Sequence, residues 1–367
     1  MNFRDKHVFL ISDVDKFFYL FADALVHKCD VPADSIVAVV YKTGRIETLD
    51  RKEPFEYVDF DTCDPQDLLL SKVFIPLSLM TWNASIIKKL IQVDQNFLNK
   101  IYIFITDDEV DRWSKIRKDN GELKVNDSLY VSQEVIFVSK KIKNFIVTSA
   151  FFENKLQNIL GRKNFCIVDA SVIFDILPCR ESENLRMALF SRADVPANRV
   201  MIGTKGVGLS EAIRVINALR EMGDMQFLIF SMPVHKRILL DLYLLSNRII
   251  FKRKASIMYL QYLLPAAYNA IVASCSYLVL QRRGGGSTAR LFAKWGCGQI
   301  IADSDSANGK VLREIFGLEY IEFGNSMSLN AESKISEKVI SKNAAAVMTE
   351  ELRSVEVLKK FFNSAQT

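Results

Sequence analysis

The sequence predicts an α/β fold arranged as two doubly wound domains, and three observations support this. The chain has 367 residues, whereas a single hydrophobic core rarely extends beyond about 250 to 300 residues. Short apolar segments alternate with helix-length amphipathic segments in the first half, and the alternation restarts in the second half, which is typical of parallel sheets covered by helices. Between the halves, over residues 176–196, prolines and a charged patch interrupt the pattern.

The first half, residues 1–176, predicts one domain. Each strand is a short apolar run, and each helix has apolar residues at helical spacing. The predicted strands are 8–11, 36–41, 72–77, 101–105, 135–138 and 145–148, and the predicted helices are 16–28, 84–93 and 151–160.

Residues 197–330 predict the second domain, with the same alternation. Its predicted strands are 199–202, 226–231, 248–251, 277–280, 299–302 and 320–323, and its predicted helices are 210–222, 236–245, 257–264, 287–295 and 307–316. The tail, 331–367, has the composition of two helices, 332–341 and 349–362, and we expect it to pack back on the first domain.

Composition places the chain among folded globular proteins. Hydrophobic residues make up 49% and charged residues 25%, the balance of a protein that buries a core. The apolar runs, such as 72–80, are far shorter than the roughly 20 residues that cross a bilayer. Residues 1–12 lack the pattern of a secretory signal peptide. We therefore expect a cytoplasmic protein without a membrane span.

The spacing of the cysteines and histidines and the net charge limit the classes of ligand that we expect the chain to bind. The six cysteines show no CxxC or CxxH spacing and the three histidines are scattered, so we predict reduced thiols and no metal site. A net charge of +5 is too small for a dedicated nucleic-acid binder. It is compatible with anionic ligands or an anionic membrane surface.

A glycine loop follows the first strand of the second domain. Gly203, Gly206 and Gly208 lie between the strand at 199–202 and a helix that Ser210 caps. Backbone amides in such a loop, with the positive end of a helix, can bind an anion without a charged side chain. The spacing is not Gly-x-Gly-x-x-Gly, which disfavours a dinucleotide oxidoreductase. A tight turn that binds nothing is the alternative.

The segment 278–290 carries a stronger anion signal. A strand ends at Arg282 and Arg283, three glycines follow, and a helix begins at Ser287 and Thr288. Arginine pairs with two phosphate oxygens at once, the glycines let a ligand approach the backbone, and the helix start offers hydroxyls and free amides. The sequence therefore predicts a diphosphate site here, with a flexible loop and solvated arginines as the alternative.

A third polar loop, at 302–313, follows the next strand. Asn308 could reach a ligand there, while helix capping is the expected role of Ser306. Asp303-Ser304-Asp305 has the letters of a metal-binding DxD motif, but a solvated turn explains it equally well. We predict no divalent-ion requirement and no cofactor.

Candidate catalytic carboxylates follow strands of the first domain. Asp13 comes directly after one predicted strand, and Asp107 and Asp108 come after another. Ligand crevices form at the carboxyl ends of strands in open α/β sheets, and a carboxylate there can accept a proton from an attacking hydroxyl. Each aspartate could instead cap a helix or lie solvated in a loop.

The order of these features resembles that of glycosyltransferases with two Rossmann-like domains facing a cleft, the GT-B architecture. More particularly, it resembles the bacterial family that transfers 4-acetamido-4,6-dideoxygalactose from its dTDP carrier in enterobacterial common antigen synthesis. The resemblance depends on the strand, glycine loop and helix at 200–219, on 268–301 with its Arg282 to Gly286 loop, and on the acidic segment at 103–113. These stretches cover about a third of the chain.

The resemblance implies that the second domain holds a nucleotide sugar and that the acceptor enters from the first domain. The acceptor would be a glycan or a lipid-linked sugar of the bacterial surface, and no nucleic acid is implied. Stabilising the leaving diphosphate is the chemistry that this site must perform. The implied nucleotide-sugar site comprises Gly203, Thr204, Lys205, Gly206, Ser231, Met232, Phe251, Arg282, Arg283, Gly284, Gly285, Gly286, Ser287, Thr288 and Asn308.

Two rival functions fit the same fold: a sugar-nucleotide epimerase, and a nucleotide-sugar-binding protein that catalyses nothing. A basic segment of the first domain could in addition contact anionic lipid at the inner face of the plasma membrane, or it could be an ordinary solvated face. Its cations are Lys115, Arg117, Lys118, Lys124, Lys140, Lys141 and Lys143.

Overall fold

A computed structural model describes residues 3–45, 49–147, 152–170, 177–190, 199–204, 207–220, 225–251, 255–261, 263–282, 284–323 and 336–364. The chain divides into two compact units. Unit 1 comprises Met1–Phe174 and Glu351–Thr367, and unit 2 comprises Asp175–Glu350.

Unit 1 is a parallel sheet with helical connections. Its elements are β1 (His7–Ser12), α1 (Phe18–Cys29), β2 (Ile36–Tyr41), β3 (Glu56–Asp59), α2 (Pro65–Leu69), β4 (Val73–Pro76), α3 (Thr81–Val93), β5 (Ile103–Ile105), α4 (Asp107–Asn120), α5 (Gln133–Lys141), β6 (Asn144–Val147), α6 (Phe152–Leu160) and β7 (Cys166–Asp169).

The strands of unit 1 follow one another in the order β3-β2-β1-β4 and β5-β6-β7. Parallel bridges from Phe74 to Ile101 and from Leu77 to Phe104 connect the two groups. β1 and β2 are apolar along nearly their whole length because both faces of a parallel sheet are covered. The chain reverses its direction of winding between β1 and β4, so the sheet has its switch point there.

Unit 2 repeats the plan. Its elements are α7 (Cys179–Phe190), β8 (Arg199–Ile202), α8 (Leu209–Leu219), β9 (Gln226–Phe230), α9 (Val234–Phe251), β10 (Ser256–Leu260), α10 (Pro265–Ala273), β11 (Tyr277–Val279), α11 (Gly286–Lys294), β12 (Gln299–Ala302), α12 (Ala307–Glu314), β13 (Ile321–Glu322) and the first part of α13 (Glu337–Ser364).

The sheet of unit 2 has the order β10-β9-β8-β11-β12-β13, and every paired strand is parallel. In order of appearance this is 3-2-1-4-5-6, the Rossmann arrangement. Its switch point lies between β8 and β11. The α/β fold class with two Rossmann-like units is therefore confirmed.

One predicted strand of unit 1, at 135–138, is wrong, because those residues lie in helix α5. The Ser132 hydroxyl accepts a hydrogen bond from the Val135 amide and caps the helix. Val135 and Val138 are buried three residues apart, and Lys140 and Lys141 complement the helix dipole at its end. A four-residue apolar run is too short for its period to distinguish a strand from one buried helix face.

In unit 2, two neighbouring predictions are wrong: the strand expected at 248–251 is helical, and the helix expected at 257–264 is a strand over 257–260. Residues 248–251 end helix α9, and the strand β10 lies at Ser256–Leu260, where a helix at 257–264 was expected. β10 pairs in parallel with β9 along its whole length. Pairing at the sheet edge therefore outweighed the helical spacing of its apolar residues. In the tail, the expected break near 341–349 is absent, because α13 is continuous from Glu337 to Ser364.

Candidate functional site

The candidate site lies at the switch point of unit 2, where the loops after β8 and β11 meet. β8 and β11 are adjacent and parallel, with Ile202 beside Val279. The chain leaves β8 toward β9 on one side and leaves β11 toward β12 on the other. Such divergence opens a crevice at the carboxyl ends of the strands, the usual position of a ligand in an open α/β sheet.

Gln281 joins the two loops. Its side-chain oxygen Oε1 accepts a hydrogen bond from the Thr204 backbone amide at 3.0 Å. Its Nε2 donates to Thr204 Oγ1 at 3.0 Å and to the Gly284 carbonyl at 2.9 Å. Gln281 and Thr204 are both buried. Because buried hydrogen bonds are costly to lose, this amide fixes the glycine loop after β11 against the loop after β8.

Asn308, on α12, also holds this loop in place through hydrogen bonds. Its Nδ2 donates to the Gln281 carbonyl at 2.5 Å and to the Gly284 carbonyl at 2.7 Å. It is 5% exposed. Asn308 therefore lies next to the candidate site, where its side-chain amide holds the loop in its conformation. Ser306 caps α12, since its hydroxyl accepts a hydrogen bond from the Gly309 amide at 3.0 Å.

Two consecutive glycines make the entry into α11 possible. Gly284 has φ +80° and Gly285 has φ +85°, in the left-handed region that favours glycine. A Cβ on Gly285 would lie 2.1 Å from Thr204 Oγ1, whereas a Cβ on Gly286 would meet nothing within 4 Å. The loop therefore packs against Thr204 at Gly285 and is open at Gly286.

The N-terminus of α11 has the properties of an anion site. No side chain of the described residues caps it, and its N-cap residue is Gly285. The first amides of a helix lack intrahelical partners and carry the positive end of the helix dipole. Ser287 is exposed at this end, while Thr288 is buried and its Oγ1 lies 2.9 Å from the Tyr268 hydroxyl. The start of α11 can therefore bind phosphate oxygens through backbone amides.

Arg282 is an exposed cation in the loop that leads into this helix. Its side chain is 74% exposed, and its Nε lies 3.5 Å from Asp303 Oδ2. An exposed guanidinium whose one partner within the described part of the chain is a carboxylate 3.5 Å away can turn to a ligand at little cost. The predicted site residues Lys205, Gly206 and Arg283 lie outside the described residues. Gly203 has φ +70°, and its amide donates to the Val279 carbonyl at 2.9 Å.

Of the remaining predicted residues of unit 2, two follow a strand as expected and one lies at the end of a helix. Ser231 and Met232 follow β9, beside β8, and the Ser231 amide donates to the Leu260 carbonyl at the end of β10. Ser231 is exposed, with φ +53°, and Met232 is buried. Phe251 was predicted at a strand end but is the last residue of α9, because the helix runs eighteen residues from Val234. The structure gives Phe251 no place at the carboxyl edge of the sheet.

Gln281 and Tyr268 are site residues that sequence reasoning missed. Tyr268 packs edge-on against Phe230, the last residue of β9, with ring centroids 5.5 Å apart. Its hydroxyl contacts Thr288 at the start of α11. Burial raises the pKa of the Tyr268 phenol. The position of Gln281 between a strand and two arginines was the one available signal, and it does not reveal which groups the amide joins.

In unit 1, Asp13 follows β1 as predicted, next to the switch point. Both its carboxylate oxygens accept the Thr43 amide at 3.1 Å, and Oδ1 also accepts the Thr43 hydroxyl at 2.6 Å. Asp107 and Asp108 were expected in an acidic loop and are the first two residues of α4. The helix begins there because Thr106 and Glu109 form a capping box, which fixes the chain directly after β5.

Asp15 is a carboxylate that the sequence analysis did not single out. It accepts the backbone amides of Phe17 at 2.9 Å and Phe18 at 2.7 Å, at the start of α1. Burial raises the pKa of the Asp15 carboxyl, against those two hydrogen bonds, which lower it. Burial, and then the charges of Asp15, Asp13 and Glu109, raise the pKa of the Tyr41 phenol. Several acidic groups therefore lie near one another at the carboxyl edge of this sheet.

Among the described residues, no group of three or more His, Cys, Asp or Glu side chains is arranged to hold a metal ion. Over the same part of the chain, no helix has the length and apolar character needed to span a membrane.

Comparison with known proteins identifies the fold. Neither a protein-family model nor a curated protein sequence matches the chain. A glycosyltransferase from Rickettsia africae matches with a TM-score of 0.55 and 11% identity over 98% of this chain and 99% of that one. UGT2 from Phytolacca americana matches with a TM-score of 0.51 and 9% identity over 98% and 100% of the two chains. OtsA matches with a TM-score of 0.51 and 10% identity over 99% of each.

This chain therefore has the GT-B glycosyltransferase fold along its whole length. Identity near 10% shows the fold and leaves the reaction to be argued from the site.

Proposed function

We propose that this protein is a glycosyltransferase that moves a sugar from a nucleoside-diphosphate donor to a hydroxyl of a glycan or lipid-linked acceptor. One observation carries the proposal: the buried Gln281 and Asn308 side chains hold a glycine loop at the Rossmann switch point, in front of an uncapped helix start. We infer that this loop and the start of α11 bind the diphosphate of the donor, and the GT-B fold supports that inference.

In the proposed reaction, the acceptor oxygen forms a bond to the anomeric carbon as the bond from that carbon to the diphosphate oxygen breaks. Negative charge grows on the leaving diphosphate. The amides at the start of α11 and the Arg282 guanidinium stabilise that charge. Because these groups are cationic or partly positive, we propose that transfer requires no divalent ion and no cofactor.

The acceptor hydroxyl loses a proton during transfer, and a carboxylate of unit 1 is proposed to accept it. Asp13, Asp107 and Asp108 remain candidates, and Asp15 joins them. A base works best when its pKa lies near the working pH. Asp15 meets this condition better than an ordinary aspartate because burial raises its pKa. The bonds from the Phe17 and Phe18 amides both end on its Oδ1, whereas Thr43 engages both oxygens of Asp13.

The narrower proposal follows the resemblance: a cytoplasmic enzyme of bacterial cell-envelope polysaccharide synthesis, related to the transferase of a dTDP-linked acetamido-dideoxygalactose. The exposed lysines of unit 1, Lys115, Lys118, Lys124, Lys140, Lys141 and Lys143, suit a lipid-linked acceptor at an anionic membrane. An epimerase and a non-catalytic binding protein remain the competing functions.

A thermal-shift screen against dTDP, UDP, GDP and CMP tests the proposal. We expect dTDP or UDP to raise the melting temperature by several degrees, since a ligand at about 100 times its Kd stabilises the folded state by about 2.7 kcal/mol. Arg282→Ala should weaken binding about tenfold or more. Lys310→Ala, which removes an exposed cation from α12, is the matched control and should bind as the wild type does.

The same preparations separate the competing functions. A transferase consumes the sugar nucleotide only when an acceptor is present, whereas an isomer formed from the sugar nucleotide alone indicates an epimerase. Asp15→Asn should keep the nucleotide-induced shift and lower transfer by roughly a hundredfold or more. No stabilisation by any of the four nucleotides removes the proposal.

A further inference from the structure

An aromatic pair lies beyond the carboxyl ends of the strands in unit 1. Trp82 is the second residue of α3, which follows β4, and Tyr130 lies in the turn that precedes α5. Their ring centroids are 5.3 Å apart, with an angle of 35° between the rings. Trp82 is half-buried and Tyr130 is 39% exposed. Both side chains therefore have surface that a ligand can contact.

Two arginines from other segments contact this pair. The Cζ of Arg45, in the loop after β2, lies 5.9 Å from the centroid of the Trp82 ring. The Cζ of Arg112, on α4 after β5, lies 5.7 Å from the centroid of the Tyr130 ring. We call Arg45, Trp82, Tyr130 and Arg112 the rim. Because β2 and β5 lie on opposite sides of β1 and β4, the rim spans the switch point of this sheet.

Two residues at this edge hold a strained backbone. Ser78, after β4, has φ +75° and Tyr130 has φ +57°, in the left-handed region that favours glycine. The Ser78 amide donates to the Phe104 carbonyl and its carbonyl accepts from Asn83 Nδ2, both at 2.8 Å. The Tyr130 amide donates to the Asp127 carbonyl at 3.1 Å. Glycine would fit both positions without strain, and residues that keep such strain cluster where ligands bind.

Two hydrogen-bond donors of the same edge are buried and unused. Within the described part of the chain, neither Ser78 Oγ nor Arg112 Nε has a hydrogen-bond partner. Leaving a buried donor unpaired is costly. Because the Ser78 hydroxyl has no bond to give up, it can turn about its Cα–Cβ bond toward a ligand. Acceptors lie at this edge too, since Asp13 follows β1 and Glu109 Oε1 is 3.6 Å from Arg112 Nη2.

This mixture of groups favours a neutral ligand that is rich in hydroxyls. A hydroxyl both donates and accepts hydrogen bonds, so it can pair with the unused donors and with the carboxylates. The C–H groups of a sugar ring are weakly positive and pack against aromatic side chains. A phosphate would be repelled by Asp13 and Glu109, whereas a purely apolar ligand would leave Ser78 unpaired.

We propose that the rim and Ser78 bind a neutral pyranose ring. The Ser78 hydroxyl pairs with a hydroxyl of the sugar, and the exposed surface of Trp82 and Tyr130 covers its C–H groups. The inference deepens the proposed function and rests on it in one respect, that this ring is the acceptor sugar. Binding of the ring itself can be measured without a donor.

Tryptophan fluorescence of the full chain tests this proposal. Trp113 and Trp295 are 1% and 7% exposed, so Trp82 is the tryptophan that a sugar can reach. We expect methyl glucopyranoside or methyl galactopyranoside to change the emission in a saturable way. Glucose 1-phosphate should need an at least about threefold higher concentration, because the carboxylates repel it. Trp82→Phe should abolish the response.

Ser78→Gly and Tyr130→Leu should each weaken sugar binding about three- to tenfold, since one removes a hydrogen bond and the other a ring contact. The melting temperature of Ser78→Gly should hold or rise, because glycine relieves the strain and the lost hydroxyl had no partner. A purely structural role for Ser78 predicts the opposite: lower stability with unchanged sugar binding.

Tyr320→Leu is the matched control for Tyr130→Leu. It also removes a tyrosine beside an arginine, but from unit 2, where the Arg313 Cζ lies 5.9 Å from the centroid of the Tyr320 ring. It should bind the methyl glycosides as the wild type does. Equal affinity in the wild type, Ser78→Gly and Tyr130→Leu would overturn the proposal, as would tighter binding of glucose 1-phosphate than of either methyl glycoside.

The nucleotide-induced thermal shift, measured on the same preparations, separates this inference from the proposed function. A nucleotide shift without a saturable response to either methyl glycoside rejects the sugar site alone. A sugar response without a shift by any nucleotide rejects the transferase and leaves the sugar site in place.

Discussion

The variant Gly285→Ala should destabilise unit 2 by about 2–5 kcal/mol and weaken nucleoside-diphosphate binding at least about tenfold. Two costs add. An L-residue in the left-handed region costs about 1–2 kcal/mol, and the new methyl group would stand 2.1 Å from Thr204 Oγ1, where overpacking typically costs about 1–3 kcal/mol. Thr204 cannot move aside cheaply because Gln281 holds both its amide and its hydroxyl. Denaturant unfolding and calorimetric titration measure the two effects.

Gly286→Ala is the matched control for that variant. A Cβ at this position meets nothing within 4 Å, and the residue is the first of α11, so stability should hold or rise slightly. Thr204→Ala in the Gly285→Ala background removes the hydroxyl that the methyl group meets. The double variant should therefore lose less stability than the two single variants together. Additive losses would show that the loop does not pack as described.

The second large effect concerns His7 and pH. Its ring is buried in unit 1, 3% exposed, with its centroid 4.9 Å from that of Phe362, and its Nδ1 has no hydrogen-bond partner among the described residues. Burial, and then the nearby charge of Lys72, lower the pKa of His7 from 6.5 to about 4. Between about pH 6.5 and pH 4, the His7 side chain is therefore protonated in the unfolded chain and neutral in the folded chain.

The contribution of His7 to the free energy of unfolding should fall as the pH is lowered from about 6.5 to about 4 and should level off below that range. One histidine with this shift contributes about 3 kcal/mol over the window. Urea unfolding of wild type and His7→Phe at pH 7.5 and pH 4.5 measures it, since the variant has no proton to bind and should lose less stability.

His27→Gln is the control for the pH experiment, because the His27 side chain is half exposed in the same unit. It should lose as much stability between the two pH values as the wild type does. Identical pH dependence in wild type and His7→Phe would contradict the assignment of the effect to His7.

Much of the architecture could be predicted because its strands are apolar on both faces. The strands at Ile36–Tyr41, Arg199–Ile202 and Gln299–Ala302 were predicted with the bounds that the structure shows. The loop after β11 could also be located, since arginines, glycines and hydroxyls lie together there within seven residues. These signals are local, so a single segment of sequence carries them.

What the sequence did not reveal depends on contacts between distant segments. Gln281 and Thr204 are 77 positions apart and meet because β8 and β11 are neighbours. Asn308 reaches the loop from the next helix, 24 residues beyond Gly284. The element at 256–260 became a strand because β9 offered it a free edge, and the raised pKa of Asp15 results from its burial, which no local pattern shows.

The central claim is that the start of α11 binds the diphosphate of a nucleotide. Hydrogen–deuterium exchange of the full chain, with and without whichever of dTDP or UDP stabilises it, tests this most directly. We predict that exchange slows at the amides of Gly286, Ser287 and Thr288 when the nucleotide is present, because phosphate oxygens would then accept their hydrogens. A nucleotide that stabilises the protein, yet leaves exchange unchanged across 284–290 while protecting another segment, would contradict the claim.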